Sequence, residues 1–289
     1  MGGPVATSGL VGRAPDLLAL RAASARAREG APEVVIVAGE AGIGKTRLIE
    51  TFAAEALADG LHVLRGGCLD LGDDGMPYAP ISEALRTFLR GLSAARAREV
   101  LGSSRDDLAR LLPALGATRG AEVPDVASTA DARSGLDQAR LFGVILEMIG
   151  NLAAESPTVI VIEDLHWVDR STRDLLSFGI RNLDRERLLL VLSVRTDDLG
   201  LGHPVATWLA GLERDARTSR LDLARFSRDD VHAHVAAILG HTPDEAQVER
   251  IHARSDGNPY FVEELVAVEQ RGRGEPLPRT LAETLAQQI

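Results

Sequence analysis

Short, uninterrupted apolar runs alternate with stretches of helical periodicity over about the first 200 residues of the chain. The runs are rich in Val, Ile and Leu, and they cover residues 33–38, 61–64, 158–162 and 187–194. Uniform apolarity is typical of strands that are covered on both faces. Apolar residues at helical spacing predict helices over residues 45–57, 78–92, 108–115, 136–152 and 171–183. Strands that alternate with helices predict an α/β fold with a parallel sheet flanked by helices.

The pattern becomes mainly helical from about residue 204. Helices are expected over residues 205–212, 227–239, 243–254, 259–270 and 277–289. We therefore predict an α/β core over residues 1–203, followed by a small helical lid subdomain over residues 204–289. Within the core, residues 117–134 are rich in Ala, Gly, Ser, Thr, Asp and Pro, which indicates a flexible loop. The last helix has no stop signal, which suggests a fragment of a longer polypeptide.

A glycine-rich turn joins the first predicted strand to the first predicted helix. Its sequence, Gly39-x4-Gly44-Lys45-Thr46, matches the Walker A pattern of phosphate-binding loops in full. Glycines let backbone N–H groups approach phosphates, the lysine reaches the outer phosphates, and the threonine hydroxyl can bind Mg²⁺. The helix that begins here adds its positive end. The predicted nucleotide-binding residues of this loop are Gly39, Glu40, Ala41, Gly42, Ile43, Gly44, Lys45, Thr46 and Arg47.

Lysine usage singles out the same turn. The chain has 32 lysine and arginine residues, and only Lys45 is a lysine. The two side chains are not equivalent, because a compact ammonium fits between phosphate oxygens where a planar guanidinium does not. We therefore predict ATP or ADP, with Mg²⁺, as the ligand of this loop.

Two carboxylates follow the third predicted strand. Glu163 and Asp164 come directly after four buried aliphatic residues, as in a Walker B motif. The carboxyl ends of parallel strands are where α/β proteins bind ligands. Because neighbouring residues of a strand face opposite ways, the two acids cannot have the same role. One is expected to hold Mg²⁺ through its water shell, and the other to orient or deprotonate the attacking water.

Composition narrows the classes of function. The formal net charge of -10 and the isoelectric point of about 5.2 argue against a broad contact with a nucleic-acid backbone. The longest apolar runs are far shorter than the ~20 residues of a membrane-spanning helix, and the first ten residues lack a signal-peptide pattern. A single cysteine, Cys68, indicates a reducing compartment. We expect a soluble cytoplasmic chain that binds neither nucleic acid nor membrane directly.

Two pairs of residues are not expected to contact a ligand. His232 and His234 are two positions apart in a predicted helix, so they point to different faces and make a poor metal pair. Trp167 and Trp208 are assigned to packing rather than to ligand binding.

Four motifs occur in order along the chain. They are Val11-Gly12-Arg13, the Gly39 to Thr46 loop, Glu163-Asp164-Leu165-His166-Trp167-Val168-Asp169, and Gly257-Asn258-Pro259-Tyr260-Phe261-Val262-Glu263-Glu264-Leu265. Together they resemble the ATPase domain of the large ATP-binding LuxR-type regulators, which are STAND signal-transduction ATPases related to AAA+. The likeness spans about residues 10–289. It implies a P-loop NTPase fold of the AAA-like (ASCE) class and a nucleotide-operated switch, closed with ADP and open with ATP.

The resemblance also implies roles for individual residues. Val11, Gly12 and Arg13 would line the adenine, and Pro259 would approach the base from the lid. Arg195, after the fourth predicted strand, takes the position of a sensor that reads the γ-phosphate. Asp164 would polarise water, while Thr46 and Glu163 serve Mg²⁺, with Asp164 a further candidate metal ligand. DNA binding is expected only from a C-terminal helix-turn-helix outside this segment, and nucleotide-dependent self-association stays open.

One position departs from the family pattern. The first acid is commonly Asp, whereas this chain has Glu163, which leaves the rate of hydrolysis open. We predict slow, Mg²⁺-dependent ATP hydrolysis in a regulatory switch. The alternatives are a turnover enzyme (an AAA+ motor or a phosphotransferase), a module coupled to a cyclase or kinase output, and an interaction module with a vestigial nucleotide site.

Overall fold

The computed structural model describes residues 10–70, 76–101, 108, 135–200 and 202–271. The helix predicted at 277–289 and the loop predicted at 117–134 lie outside the described residues, as does all of the helix predicted at 108–115 except Leu108. The helices are α1 (Ala14–Arg28), α2 (Lys45–Ala58), α3 (Ala79–Arg90), α4 (Ala94–Leu101), α5 (Gly135–Glu155), α6 (Arg170–Asn182), α7 (Pro204–Leu212), α8 (Arg228–Leu239), α9 (Glu245–Ser255) and α10 (Pro259–Arg271). The strands are β1 (Glu33–Gly39), β2 (His62–Gly67), β3 (Thr158–Glu163), β4 (Leu188–Arg195) and β5 (Thr218–Asp222).

The strands form one parallel sheet in the order β2-β3-β4-β1-β5. This confirms the predicted α/β class, and it places β4 between β1 and β3. The register pairs Gly39 with Arg195 and Ile162 with Leu192. The phosphate loop after β1, the acids after β3 and the arginine that ends β4 therefore lie at the same edge of the sheet.

Strand β1 shows why the predicted strands lack alternation. Val34, Ile36 and Ala38 belong to the apolar layer on one face of the sheet, and Val35 and Val37 belong to the layer on the other face. Helices cover both faces, so no strand residue of this run needs to be polar. The uniform apolar pattern follows from this two-sided burial.

The sheet continues beyond the position where the sequence pattern turns helical. Strand β5 pairs with β1 at the sheet edge, and its sequence, Thr-Ser-Arg-Leu-Asp, is largely polar and partly exposed. Helix α7 also packs on the core through Val205, Leu209 and Leu212. Polar edge strands carry no apolar run, which is why the sequence pattern missed β5.

Helices α8, α9 and α10 share a separate apolar cluster of their own. We refer to these three helices as the lid. The first of them begins with a capping box, in which the side chains of Ser227 and Asp230 satisfy each other's backbone N–H groups. None of the described helices is both long and apolar enough to cross a membrane.

Candidate functional site

A cavity of about 570 Å³ lies where the phosphate loop, the strand ends, the N-terminal segment and the lid meet. Its lining includes seven residues of the core and the N-terminal segment. They are Leu10, Val11, Arg13, Lys45, Thr46, Asp164 and Arg195. From the lid and the segment before it come Phe226, His234, Pro259, Tyr260 and Glu263. The cavity thus joins residues that are far apart in the sequence.

The phosphate loop turns directly into α2. Gly44 caps this helix with a φ of 98°, a left-handed conformation that glycine adopts without strain. The Lys45 ammonium donates hydrogen bonds to the carbonyl oxygens of Gly39, at 2.8 Å, and of Glu40, at 2.7 Å. Lys45 is only 7% exposed, and burial lowers its pKa, while the Asp197 carboxylate opposes that shift. A cationic side chain is therefore held within the loop that the sequence assigns to phosphate.

The two acids after β3 occupy different surroundings. Asp164 adopts a left-handed φ of 58°, and its N–H donates to the Ser193 hydroxyl at 3.1 Å. This turn places Asp164 in the cavity lining, where its Oδ1 is 3.5 Å from the Arg195 Nε. The Glu163 carboxylate instead accepts a hydrogen bond of 2.7 Å from the Arg65 guanidinium of β2, outside the cavity lining. The structure brings Lys45, Asp164 and Arg195 together, and it directs Glu163 elsewhere.

An acid outside the predicted site ties the segment after β4 to the phosphate loop. Both carboxylate oxygens of Asp197 are 3.2 Å from the Ala41 N–H, which donates to them. Asp197 lies two positions after Arg195, so this contact holds the segment that follows β4 against the loop. Its neighbour Asp198 is 3.4 Å from the Nε2 of His166, a side chain whose burial lowers its pKa. The run of two acids after Arg195 was the available sequence signal.

Two residues around the start of α10 donate hydrogen bonds to backbone carbonyls of the phosphate loop. The Asn258 side-chain amide donates to the Ala41 carbonyl at 2.9 Å, and the Tyr260 N–H donates to the Gly42 carbonyl at 3.3 Å. Gly42 has a φ of 74°, and a Cβ there would lie 2.7 Å from the Tyr260 Cβ. A larger residue would therefore strain the loop and collide with the lid.

A bidentate ion pair joins the same two parts of the molecule. The Arg225 guanidinium donates to both carboxylate oxygens of Glu40 at 2.8 to 3.2 Å, and it also contacts Asp256. Glu40 is the loop residue whose carbonyl accepts from Lys45. One residue of the loop therefore bonds to the lysine through its backbone and to the segment leading into the lid through its side chain.

The three N-terminal residues that were predicted to line the adenine differ in their position relative to the cavity. Val11 and Arg13 are in the lining, and the Arg13 guanidinium donates to the Ile43 carbonyl at 2.8 Å. The same guanidinium is 4.9 Å from the centroid of the Phe226 ring. Gly12 is outside the lining and packs against the Asp230 carboxylate. Arg13 thus connects the N-terminal segment, the phosphate loop and the lid.

The lid lines the cavity with a paired histidine and acid. His234 Nε2 is 3.2 Å from the Glu263 Oε1, and this hydrogen bond lowers the pKa of Glu263. Arg47 of α2 also reaches Glu263, at 3.3 Å. Pro259, which is predicted to approach the base, is also in the lining, at the start of α10. These contacts extend the core–lid interface from the loop to α2.

The donor set of the cavity suits a cation held mainly by phosphate and water. Among the residues that the structure describes, no group of three or more His, Cys, Asp or Glu side chains could hold a metal by itself. Mg²⁺ keeps several waters and is bound through one or two protein oxygens together with substrate phosphates. The Thr46 hydroxyl and the Asp164 carboxylate are oxygen donors of this kind in the lining. These residues fit Mg²⁺ bound with a nucleotide.

The sheet order and the loop define the class of the protein. A strand inserted between β1 and β3, with a phosphate loop after the first and an acid after the second, is the architecture of a P-loop NTPase of the AAA type. Residues 9–192 match the AAA ATPase domain. The chain belongs to this family.

This chain resembles parts of longer proteins. The chain is 27% identical over 257 residues to an uncharacterised protein of Rhizobium meliloti (strain 1021), covering 82% of this chain and 22% of that protein. The fold resembles a STAND protein with a tetratricopeptide repeat sensor from Pyrococcus horikoshii (TM-score 0.52, 15% identity), over 99% of this chain and 33% of that one. It also resembles the Aeropyrum pernix ORC2 protein (TM-score 0.50, 14% identity), over 96% and 68% of the two chains. The chain therefore spans about a fifth of its curated relative.

Proposed function

We propose that this chain is an ATP-binding switch domain with slow, Mg²⁺-dependent hydrolysis, within a signal-transduction ATPase. The observation that carries the proposal is the direct contact between lid and phosphate loop. Asn258 and Tyr260 bind loop carbonyls, and Arg225 binds the carboxylate of Glu40. A ligand that rearranges this loop would change its bonds to the lid.

The residues of the cavity have distinct roles in this proposal. Lys45 and the N–H groups of the loop bind the phosphates, as in other Walker A loops. Thr46 and Asp164 would hold Mg²⁺, which would neutralise phosphate charge. Asp164 is the acid in the cavity lining, and it orients water for attack. Arg195 reads the γ-phosphate, while Val11, Arg13 and Pro259 surround the base.

Competition for Lys45 links nucleotide binding to the lid. Its ammonium bonds to two carbonyls of the loop, one of them from Glu40. Phosphate oxygens would draw the ammonium away from these carbonyls. The change would be transmitted to Arg225 through Glu40, whose backbone and side chain take part in the two contacts.

We further propose that the domain belongs to the large ATP-binding LuxR-type regulators. The four ordered motifs support this, and so does the small fraction of the Rhizobium relative that the chain covers. The test is the reading frame downstream of this segment. A helix-turn-helix there is expected, whereas a cyclase or kinase domain would contradict the assignment to transcription.

The switch is tested by amide hydrogen exchange of α8, α9 and α10 with saturating ADP and with a non-hydrolysable ATP analogue. Exchange in the lid is expected to be slower with ADP, because the core–lid contacts persist in the closed form. Identical lid exchange with the two nucleotides, combined with turnover well above about one per second, would contradict a switch and favour the turnover enzyme. Absence of binding to either nucleotide would favour the vestigial module.

A further inference from the structure

Trp167 lies beside the strand-end residues of the cavity. It ends a 3₁₀ turn, Leu165–Trp167, that begins directly after Asp164. The side chain is 39% exposed, and its ring packs against the neighbouring His166 ring with a centroid separation of 4.3 Å. An indole that was expected only to pack in the core is instead partly open to solvent next to the phosphate side of the site.

The indole face contacts the sensor arginine. The Arg195 Cζ lies 5.1 Å from the centroid of the Trp167 ring, which is a cation–π distance. The Arg195 Nε is also 3.5 Å from the Asp164 Oδ1. Arg195 therefore contacts both a carboxylate and an aromatic face, and these two partners come from the same short segment after β3.

The aromatic contact restricts the guanidinium in a way that the carboxylate does not. An arginine side chain has several free torsions, and it loses rotamer freedom when its plane is fixed. The ion pair between Arg195 and Asp164 is partly exposed, with Nε 3.5 Å from Oδ1, so it constrains that plane weakly. Contact with the indole face keeps the guanidinium near Trp167 even when Asp164 contacts another group. Pre-ordering of a ligand-binding group increases affinity by lowering the entropy lost on binding.

We propose that Trp167 is a positioning residue for the γ-phosphate. It holds the Arg195 guanidinium in place and so sets the preference of the site for a triphosphate over a diphosphate. This inference rests on the proposed function, in which Arg195 reads the γ-phosphate. Asp164 is also the acid proposed to orient water. Trp167 would keep Arg195 in position when the Asp164 carboxylate contacts that water instead of Arg195.

The test compares the affinities of the full chain for ADP and for a non-hydrolysable ATP analogue by titration calorimetry. Trp167→Leu removes the aromatic face and keeps an apolar side chain, whereas Trp167→Phe retains an aromatic face. We expect Trp167→Leu to weaken binding of the analogue about two- to fivefold, with ADP affinity unchanged. Trp167→Phe should retain most of the preference.

Trp208→Phe is the matched control. Trp208 packs at the edge of the core, and its Nε1 donates to the Ser177 hydroxyl at 2.8 Å. The substitution should leave the ratio of the two affinities unchanged. It also makes Trp167 the sole tryptophan of the chain, because there are two in total. The emission of Trp167 should then change with the ATP analogue and not with ADP.

A double-substitution cycle separates positioning from a general effect on folding. In an Arg195→Met background, Trp167→Leu should cause no further loss of analogue binding, since the group that it positions is absent. The proposal would be overturned if Trp167→Leu left the ratio of the two affinities unchanged, whether or not both affinities fell. It would also be overturned if Trp167→Leu caused the same loss of analogue binding in the Arg195→Met background as in the wild type. Neither result would contradict nucleotide binding itself. A wild-type chain that binds neither nucleotide would instead overturn the proposed function, and this inference with it.

Discussion

Neighbouring residues with the same charge have different surroundings at this site. Glu163 is the last residue of β3, and its carboxylate pairs with Arg65 on the adjacent strand. Asp164 leaves the strand in a left-handed conformation and faces the cavity. The change of backbone conformation between them, rather than the length of their side chains, separates their environments.

Substitution of the two acids should therefore have unequal effects. Asp164→Asn is expected to lower kcat for ATP hydrolysis by about 100-fold or more, because the carboxylate that polarises water is lost. Glu163→Gln should lower kcat far less, and mainly weaken the contact with Arg65. The measurement is steady-state hydrolysis at saturating ATP and Mg²⁺ for both variants.

The reverse result would identify a different metal ligand. If Glu163→Gln reduces hydrolysis as strongly as Asp164→Asn and raises the Mg²⁺ concentration needed for activity, Glu163 holds the metal, as the family resemblance implies. That outcome would require the carboxylate to leave Arg65 when nucleotide binds.

Motif residues were easier to predict than their partners. The sequence identified Lys45, Asp164 and Arg195, and all three line one cavity. It did not identify Asp197 as the acceptor for the Ala41 N–H, because a carboxylate in a loop carries no motif and its partner depends on strand order. Trp167 was assigned to packing for the same reason, since its contact with Arg195 exists only when β3 and β4 are neighbours.

Between elements, one arginine adds an ion pair to the contacts that Asn258 and Tyr260 make with the phosphate loop. The Arg225 side chain is 34% exposed and binds both oxygens of Glu40. Bidentate geometry makes this pair more specific than a single contact between exposed charges. Because Arg225 lies just before α8, its loss should loosen the lid without altering the lid's own apolar core.

Arg225→Gln is expected to accelerate amide exchange in α8 to α10 and to weaken ADP binding about two- to fivefold. Arg220→Gln is the matched control, because Arg220 is also 34% exposed and pairs with Glu213 and Asp222, away from the cavity. Hydrogen exchange and calorimetry measure the two effects. Equal changes in both variants would show that the Glu40 contact has no particular role in holding the lid.

Elements with strong apolar contrast were predictable, and polar or alanine-rich ones were not. The four strands β1 to β4 follow from their apolar runs. Strand β5 was missed because an edge strand exposes much of its surface, and its pairing with β1 is a tertiary property. Helix α1 was missed because its buried face includes Ala23 and Ala27, which contrast little with the exposed alanines around them.

At the scale of the whole molecule, the core and the lid together form a cavity that neither could form alone. The phosphate loop and strand ends supply charge, and the lid supplies Tyr260, Pro259 and the His234–Glu263 pair. Sequence motifs from both parts predicted a shared site, but the extent of the interface follows from the packing of α10 on the loop. We expect a nucleotide to bind in this cavity.

That claim is tested most directly by equilibrium binding of ATP–Mg²⁺ to wild-type chain and to Lys45→Ala. Arg28→Ala, which removes an exposed positive charge paired with Asp59, is the control for net charge. Wild-type and Arg28→Ala chains should bind ATP with micromolar affinity, and Lys45→Ala should lose at least about 100-fold in affinity, because a buried cation that contacts phosphate is removed. Full ATP affinity in a folded Lys45→Ala variant would contradict the account.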